Sequence, residues 1–182
     1  MVKRIKKMQM KTMNNYGRLR RPISNGVKIG VIGASRCSKK IARIAYQVGK
    51  EIARRKAILI CGGLGGVMEE AARGAKENKG LTVGILPGFS SSDANSYIDI
   101  PIVTGMDHGR NIIVVRSCDA IIAIGGREGT LSEIAFALKL SIPLIGVETW
   151  EIEGVIRAKD ARSAVEKALQ ALRKEKKIVR CT

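Results

Sequence analysis

The chain has 182 residues, 45% of them hydrophobic, enough to bury one substantial core without help from metals or disulfides. Its net charge is +17, with eight Lys/Arg and no acid in residues 1–26 and +9 on the rest. That excess suits anionic ligands, or nonspecific nucleic-acid contact by a basic arm.

No apolar run approaches the ~18 residues of a membrane span, and none near the N-terminus has the length of a secretory signal. Four cysteines form no CxxC pair, and His108 is the single histidine. No metal site and no membrane contact are expected, and a reduced, cytoplasmic protein is. Aromatic residues make up 3% of the chain, which leaves little for stacking on single-stranded bases.

Residues 1–26 show no sustained apolar periodicity and read as a flexible basic arm ahead of a single domain, 27–182. Residues 27–33 form an apolar run, a first strand, that closes on Gly33-Ala34-Ser35. A helix is expected over 38–55, with Ile41, Ile44, Ala45, Val48 and Ile52 on one face. The first strand-to-helix turn is a usual place for a phosphate, so Gly33, Ala34 and Ser35 are candidate ligand contacts. The turn lacks the second glycine and the Gly-Lys-Ser/Thr ending of a P-loop.

A second strand, 57–61, runs into Gly62-Gly63-Leu64-Gly65-Gly66 and then a helix over 67–78. The loop is not GxGxxG, and no acid ends the next strand, so a nicotinamide dinucleotide site is disfavoured. Residues 81–86 form a third strand, 89–96 a small polar loop placed over the site as a mobile cover, and 97–103 another strand. Met106-Asp107-His108-Gly109-Arg110-Asn111 opens a helix expected to bury Ile112, Ile113 and Val115. Arg110 sits in its first turn, where a cation opposes the helix dipole. That mismatch points to a different task, such as holding a carboxylate or phosphate bidentately.

The strongest pattern follows. An apolar strand, 120–124, stops at Gly125-Gly126-Arg127-Glu128-Gly129-Thr130, and a helix pattern (Leu131, Ile134, Ala135, Leu138) and another strand, 142–147, come next. This is a βαβ unit with glycines at the carboxyl end of a strand, where ligands bind in open α/β sheets. Gly125, Gly126 and Gly129 let the backbone approach an anion closely. Thr130 is placed to cap the helix, and Glu133 three residues later has capping-box spacing. Residues 150–158 are irregular with one short strand, and 160–174 form a final amphipathic helix. Strands alternate with helices throughout, so the fold class is α/β: a three-layer, Rossmann-like fold with a mainly parallel sheet.

With both glycine loops and Arg110 in view, residues 27–172 resemble the Rossmann-like nucleoside 5′-monophosphate phosphoribohydrolases, the lysine decarboxylase-like superfamily. Within it they are most similar to the branch that includes molybdenum cofactor carrier proteins. That superfamily carries a GGGxxGLMG loop, an M-x-x-R-K segment and a PGGxGTxxE loop. Here they stand as Cys61 to Glu69, Met106 to Asn111 and Gly125 to Glu133. The carrier branch shows R-N and GGGxGT-x-SE, which Arg110-Asn111 and Ser132-Glu133 match better. The resemblance places Arg110 and Glu133 on the hydrolases' catalytic pair, and Gly126, Gly129 and Thr130 on their phosphate loop. It also implies a homo-oligomer, a dimer or larger. Three departures stand out: Gly125 replaces the loop proline, Asn111 the lysine and Arg127 a glycine.

Three functions follow from these readings. The first is a carrier or sensor that binds a nucleotide or another phosphorylated cofactor, such as a pterin, through the two glycine loops, with no further cofactor required. The second is a phosphoribohydrolase that cleaves the N-glycosidic bond of a nucleoside 5′-monophosphate with Glu133 and Arg110. The third is a DNA-associated protein of related fold. Glu133 is alternatively only a helix cap, and Arg127 either binds a further phosphate or faces solvent. Cys37 is either a reactive thiol or a plain loop cysteine. Cys61 and Cys118 read as core fillers and His108 as a surface residue.

Overall fold

A computed structural model describes the backbone of residues 26–181 and the side chains of 26–174. Residues 1–25, nearly all of the expected basic arm, lie outside the described residues. Seven strands form one all-parallel sheet in the order β4-β3-β2-β1-β5-β6-β7. They are β1 (Lys28–Gly33), β2 (Ile58–Cys61), β3 (Thr82–Leu86), β4 (Ile100–Val103), β5 (Ala120–Ile124), β6 (Leu144–Val147) and β7 (Ile156–Arg157). Five helices join them: α1 (Lys39–Arg54), α2 (Val67–Glu77), α3 (Asn111–Arg116), α4 (Glu128–Lys139) and α5 (Ala161–Cys181).

The central strands β1, β2, β5 and β6 are apolar on both sides, as a sheet covered on both faces requires, whereas the edge strands β4 and β7 are exposed. Val31, Leu59, Ile122 and Ile124 face a core shared with Ala45, Val48 and Ile52 of α1, Ala71 and Ala75 of α2, and Val165 and Ala168 of α5. Ile32, Ile60, Ile121 and Ala123 face the opposite core, with Val114 and Val115 of α3 and Ile134 and Ala137 of α4. Ser38 caps α1, its hydroxyl accepting from the Ile41 N–H at 3.3 Å. Helices α1 and α2 cross at glycines. A Cβ on Gly49 would lie 1.9 Å from the Ala71 carbonyl oxygen, and one on Gly74 2.0 Å from that of Tyr46.

From β1 the chain builds outward through β2, β3 and β4, then returns to start β5 on the other side of β1. The five-residue register from Ile29↔Ala120 to Gly33↔Ile124 places the ends of β1 and β5 level. The Asp119 carboxylate locks that register at the far end, accepting from the Lys28 backbone N–H at 2.7 Å and from Lys28 Nζ at 3.2 Å. The crevice at a topological switch point therefore opens between the carboxyl ends of β1 and β5, flanked by both glycine loops.

Three local expectations are corrected. A 3₁₀ turn, Asp107–Arg110, precedes α3 and shifts its phase, so Val114 and Val115 are buried while Ile112 and Ile113 are half-buried. Helix α4 starts at Glu128, before the expected cap. The buried stripe of α4 is Thr130, Glu133, Ile134 and Ala137, whereas Leu131 and Ala135 face outward. Among the described residues, no helix is long and apolar enough to cross a membrane.

Candidate functional site

The second glycine loop begins where β5 ends. Gly125 (φ 55°) and Gly126 (φ 134°) adopt backbone conformations that side chains resist, and they turn the chain sharply into α4. A Cβ on Gly126 would lie 2.8 Å from Trp150 Cζ3 and 2.9 Å from Thr130 Cβ, so only glycine fits. The N-cap of α4 is Arg127, whose side chain makes no capping bond. The first i→i−4 hydrogen bond near this end runs from the Leu131 N–H to the Arg127 carbonyl at 3.0 Å. The amides of Glu128, Gly129 and Thr130 are therefore left without intrahelical acceptors, an arrangement suited to an anion. Apart from its chain neighbours and the backbone of α4 itself, no atom comes within 4 Å of the position a Gly129 Cβ would take. Thr130 is not the N-cap but a buried residue inside the first turn, and Glu133 closes no capping box. The cap reading of both residues falls for that reason.

The first glycine loop packs against the β1–α1 turn. Gly66 (φ 64°) has no room for a Cβ, which would meet the Ala34 carbonyl oxygen at 2.5 Å, and the Val67 N–H donates to that oxygen at 3.0 Å. A Gly33 Cβ would lie 2.5 Å from Val67 Cγ1. Gly33, Ala34 and Ser35 thus meet Gly65 and Gly66 at one edge of the crevice. The segment 89–96, expected to be a mobile cover, is anchored to the first glycine loop at Asn95, while Phe89 to Asp93 are exposed. Asn95 Nδ2 donates to the Gly63 and Leu64 carbonyls at 3.1 and 2.9 Å, and its backbone N–H to Gly63 at 2.9 Å.

Between the loops lies a buried charge pair. Arg110 leaves the 3₁₀ turn and passes beneath Gly62, where its Nη2 donates to the carbonyl at 3.3 Å. A Cβ on Gly62 would fall 2.5 Å from that nitrogen, so this glycine makes room for the guanidinium. Arg110 Nη1 stands 3.6 Å from Glu133 Oε1, and both side chains are 8% exposed. The pair is underbonded: Arg110 Nε is buried without a partner, and 3.6 Å is longer than a charge-assisted hydrogen bond. Burial pushes the Glu133 carboxyl up to about 7, opposed by Arg110. Burial also pulls the Arg110 guanidinium below its ordinary value, with Glu133 opposing. The neighbours pair too, Asn111 Nδ2 donating to Ser132 Oγ at 3.0 Å and Ser132 Oγ to the Gly129 carbonyl at 2.6 Å. Residues 110 and 111 therefore engage 133 and 132 across the α3–α4 contact.

The remaining candidates separate cleanly. Arg127 is exposed on the rim and His108 lies in solvent. Cys61 and Cys118 are buried core residues, and burial pushes the Cys61 thiol up to about 11. The exposed Cys37 thiol is raised, first by partial burial and then by Glu70, so its surroundings do not activate it. Among the described residues, no group of three or more His, Cys, Asp or Glu is placed to hold a metal ion. Sequence reasoning missed Glu148, Thr149 and Trp150 beneath the Gly125–Gly126 turn, because nothing in their spacing marks them.

The family model described as the SLOG cluster4 family, LDcluster4, matches residues 26–178. The chain belongs to the SLOG cluster4 family. An uncharacterized protein of Archaeoglobus fulgidus is 54% identical over 113 residues, which cover 62% of this chain and 74% of that protein. The molybdenum cofactor carrier protein of Chlamydomonas reinhardtii has the same fold, with a TM-score of 0.73, 34% identity, and 81% of this chain and 99% of that one covered. The molybdenum cofactor binding protein of Rippkaea orientalis aligns with a TM-score of 0.71 and 33% identity over 84% of this chain and 97% of that one. The Rossmann-like fold of this SLOG cluster4 protein and its likeness to the carrier branch are thereby established.

Proposed function

We propose that this SLOG cluster4 protein binds a phosphorylated small molecule, a nucleotide or a pterin-type cofactor, in the crevice between Gly62–Gly66 and Gly125–Thr130, as a carrier or sensor. The underbonded Arg110–Glu133 pair carries the reading. A buried pair kept for stability alone would be expected to use its hydrogen-bonding capacity, because desolvating charges is costly. Here a buried guanidinium nitrogen has no partner and the carboxyl is near neutrality, beside three helix amides free to hold a phosphate. The two structural relatives, described as binding or carrying the molybdenum cofactor, support a ligand of this kind.

The hydrolase reading uses the same residues differently: the phosphate sits on the α4 amides while Glu133 stabilises the oxocarbenium-like ribose as the base leaves. It needs an ionised carboxylate open to the sugar, whereas the Glu133 side chain is 8% exposed and burial disfavours its charged form. The carrier reading is therefore preferred.

The deciding experiment incubates the protein and Glu133→Ala with a panel of nucleoside 5′-monophosphates and follows free base by chromatography, with calorimetry for binding. Binding without base release is expected. Base release that disappears in Glu133→Ala would establish the hydrolase instead, and absence of any binding would overturn both readings. Self-association is also proposed, through the exposed Leu131 and Phe136 on α4.

A further inference from the structure

The helices on the two faces of the sheet differ in charge. Residues 39–56, α1 and its end, hold seven Lys/Arg and one acid, and residues 159–174, most of α5, hold five and two. Beside them α2, residues 67–79, is balanced with three of each. On the opposite face, residues 107–116 and 127–139 together hold four Lys/Arg and three acids. Helices α1 and α5 share one core and are joined by Arg55 Nη2, which donates to Glu166 Oε1 at 3.1 Å. A groove of about 330 Å³ between them is lined by Arg43, Gln47, Lys159 and Arg162, with Glu51 and Asp160. The acids along these two helices are already engaged. Glu51 pairs with Arg54 at 2.9 Å, Glu166 also accepts from Arg162 at 3.1 Å, and Asp160 accepts from the Ser163 N–H at 2.7 Å. Lys39, Arg43, Lys50, Lys56 and Lys159 have no acidic partner among the described residues, and all but the half-buried Lys50 are exposed.

The basic N-terminal segment joins the chain at the end of this ridge. The carbonyl of Val27 accepts from the Ile58 N–H at 2.8 Å, two residues after Lys56, so the eight Lys/Arg of residues 1–26 are tethered beside the basic end of α1. Among the described residues, none of the exposed large apolar side chains lies on α1 or α5. A membrane surface or a protein partner would call for apolar anchors that this face lacks. A single strand would call for free aromatic rings. Tyr46 of α1 is engaged instead, its hydroxyl donating to Glu77 at 2.6 Å and its ring lying 5.1 Å from the Arg73 guanidinium. The 16 residues of α1 extend their cations over roughly 24 Å, and a nucleic-acid duplex offers one phosphate charge per ~1.7 Å.

We propose that the α1–α5 face binds the phosphate backbone of a nucleic-acid duplex without reading its sequence. Lys39, Arg43, Lys50, Lys56 and Lys159 displace counterions from the duplex, and the basic segment tethered at Val27 adds to the attraction. The assignment is independent of the small-molecule reading above, because none of Gly62–Gly66, Gly125–Thr130, Arg110 and Glu133 belongs to α1 or α5.

Fluorescein-labelled DNA duplexes of two unrelated sequences, and an RNA duplex, are titrated with full-length protein by anisotropy at salt from ~50 to ~200 mM. Five contacts give log K against log salt a slope of about −4.5, so affinity should fall about 500-fold or more across that range. The two DNA sequences should bind alike, and the tighter of DNA and RNA identifies the duplex. Arg43→Gln with Lys50→Gln should make the slope shallower by about two and weaken binding at least tenfold at ~50 mM salt. Lys159→Gln, on the other wall of the groove, should act in the same direction. Arg116→Gln with Lys139→Gln, exposed on the opposite face, removes the same charge and should change neither quantity. Equal effects of the two pairs would overturn the face and leave the net charge of the protein as the cause. No effect of any of these substitutions would also overturn it, by assigning the binding to residues 1–26 alone. Tighter binding to one separated strand, or to phosphatidylserine vesicles, than to the duplex would overturn the choice of partner. Failure of every duplex to bind at ~50 mM salt would overturn the proposal outright.

Discussion

Replacing Glu133 with glutamine keeps the side chain's shape and removes its titration, which exposes the electrostatics of the buried pair. In the folded protein the carboxyl is lifted from its ordinary 4.5 to about 7, chiefly by burial. Each pH unit of difference between folded and unfolded chains is worth about 1.4 kcal/mol, so the full shift amounts to roughly 3 kcal/mol. The sign follows from proton counts. Between pH 4.5 and 7 the folded state holds a proton that the unfolded chain has released, so stability falls as pH rises. The contribution is full below pH 4.5 and gone above pH 7. Glu133→Gln has no such slope. Urea unfolding of both proteins at pH 5 and pH 8 should show the stability gap swinging by about 2–3 kcal/mol in favour of the variant at the higher pH. Carboxyls elsewhere, such as Asp160 and Glu166, are common to both proteins and cancel. Parallel pH dependences would mean that Glu133 titrates as an ordinary carboxyl. The same parallel result is expected if Arg110 holds Glu133 firmly ionised, since both states are then ionised from pH 5 to pH 8, and in either case the underbonded pair would be refuted.

Gly126→Ala forces a Cβ against Trp150 and Thr130 at φ 134°, so it should lose about 1–3 kcal/mol of stability together with phosphate binding; a variant with normal melting and normal calorimetry would contradict the loop geometry. Gly129→Ala, whose Cβ meets nothing within 4 Å beyond its chain neighbours and the backbone of α4, should fold as well as the parent yet bind ribose 5-phosphate at least tenfold more weakly, because the ligand needs that space. Retained affinity in that variant would move the phosphate elsewhere. At the α1–α2 crossing, Gly49→Ala should lower stability by about 2 kcal/mol or more despite a helix-propensity gain of about 1 kcal/mol, and an unchanged melting temperature would refute so close an approach. Alkylation followed by peptide mapping at neutral pH should label Cys37 more slowly than free cysteine, and Cys61 and Cys118 only after unfolding; a hyper-reactive Cys37 would overturn the reading of its surroundings.

The centre of the sheet was legible because β1, β2 and β5 are apolar runs that meet glycine at their carboxyl ends, and β5 spans the same residues as the sequence pattern. Arg110 announced itself through a local mismatch, a cation at a helix start, and the structure gives the reason in its path beneath Gly62 toward Glu133. The cap reading of Thr130 and Glu133 misled because glycine spacing suggests a loop running to Gly129. The backbone instead enters the helix at Glu128, which turns both residues inward. The phase of α3 was hidden by the 3₁₀ turn before it, since a tighter turn rotates every later side chain relative to the core. Trp150 and Glu148 carried no signal because they belong to an irregular segment, and only the pairing of β6 with β5 brings them beneath Gly125.

The pairing of β1 with β5 bears on how the protein is made. Lys28 and Asp119 are 91 positions apart, and the adjacent strands they begin, β1 and β5, are the pair at whose carboxyl ends the crevice opens. During synthesis at ~5–20 residues per second, β1 to β4 emerge first, with one edge of β1 waiting for a neighbour not yet made. A nascent chain of that length has the Gly62 loop but not yet Arg110, Glu133 or the α4 amides. Binding competence therefore arrives late, when β5 docks and α4 forms behind it, and a ligand present at that moment would favour the completed sheet over any partly assembled one.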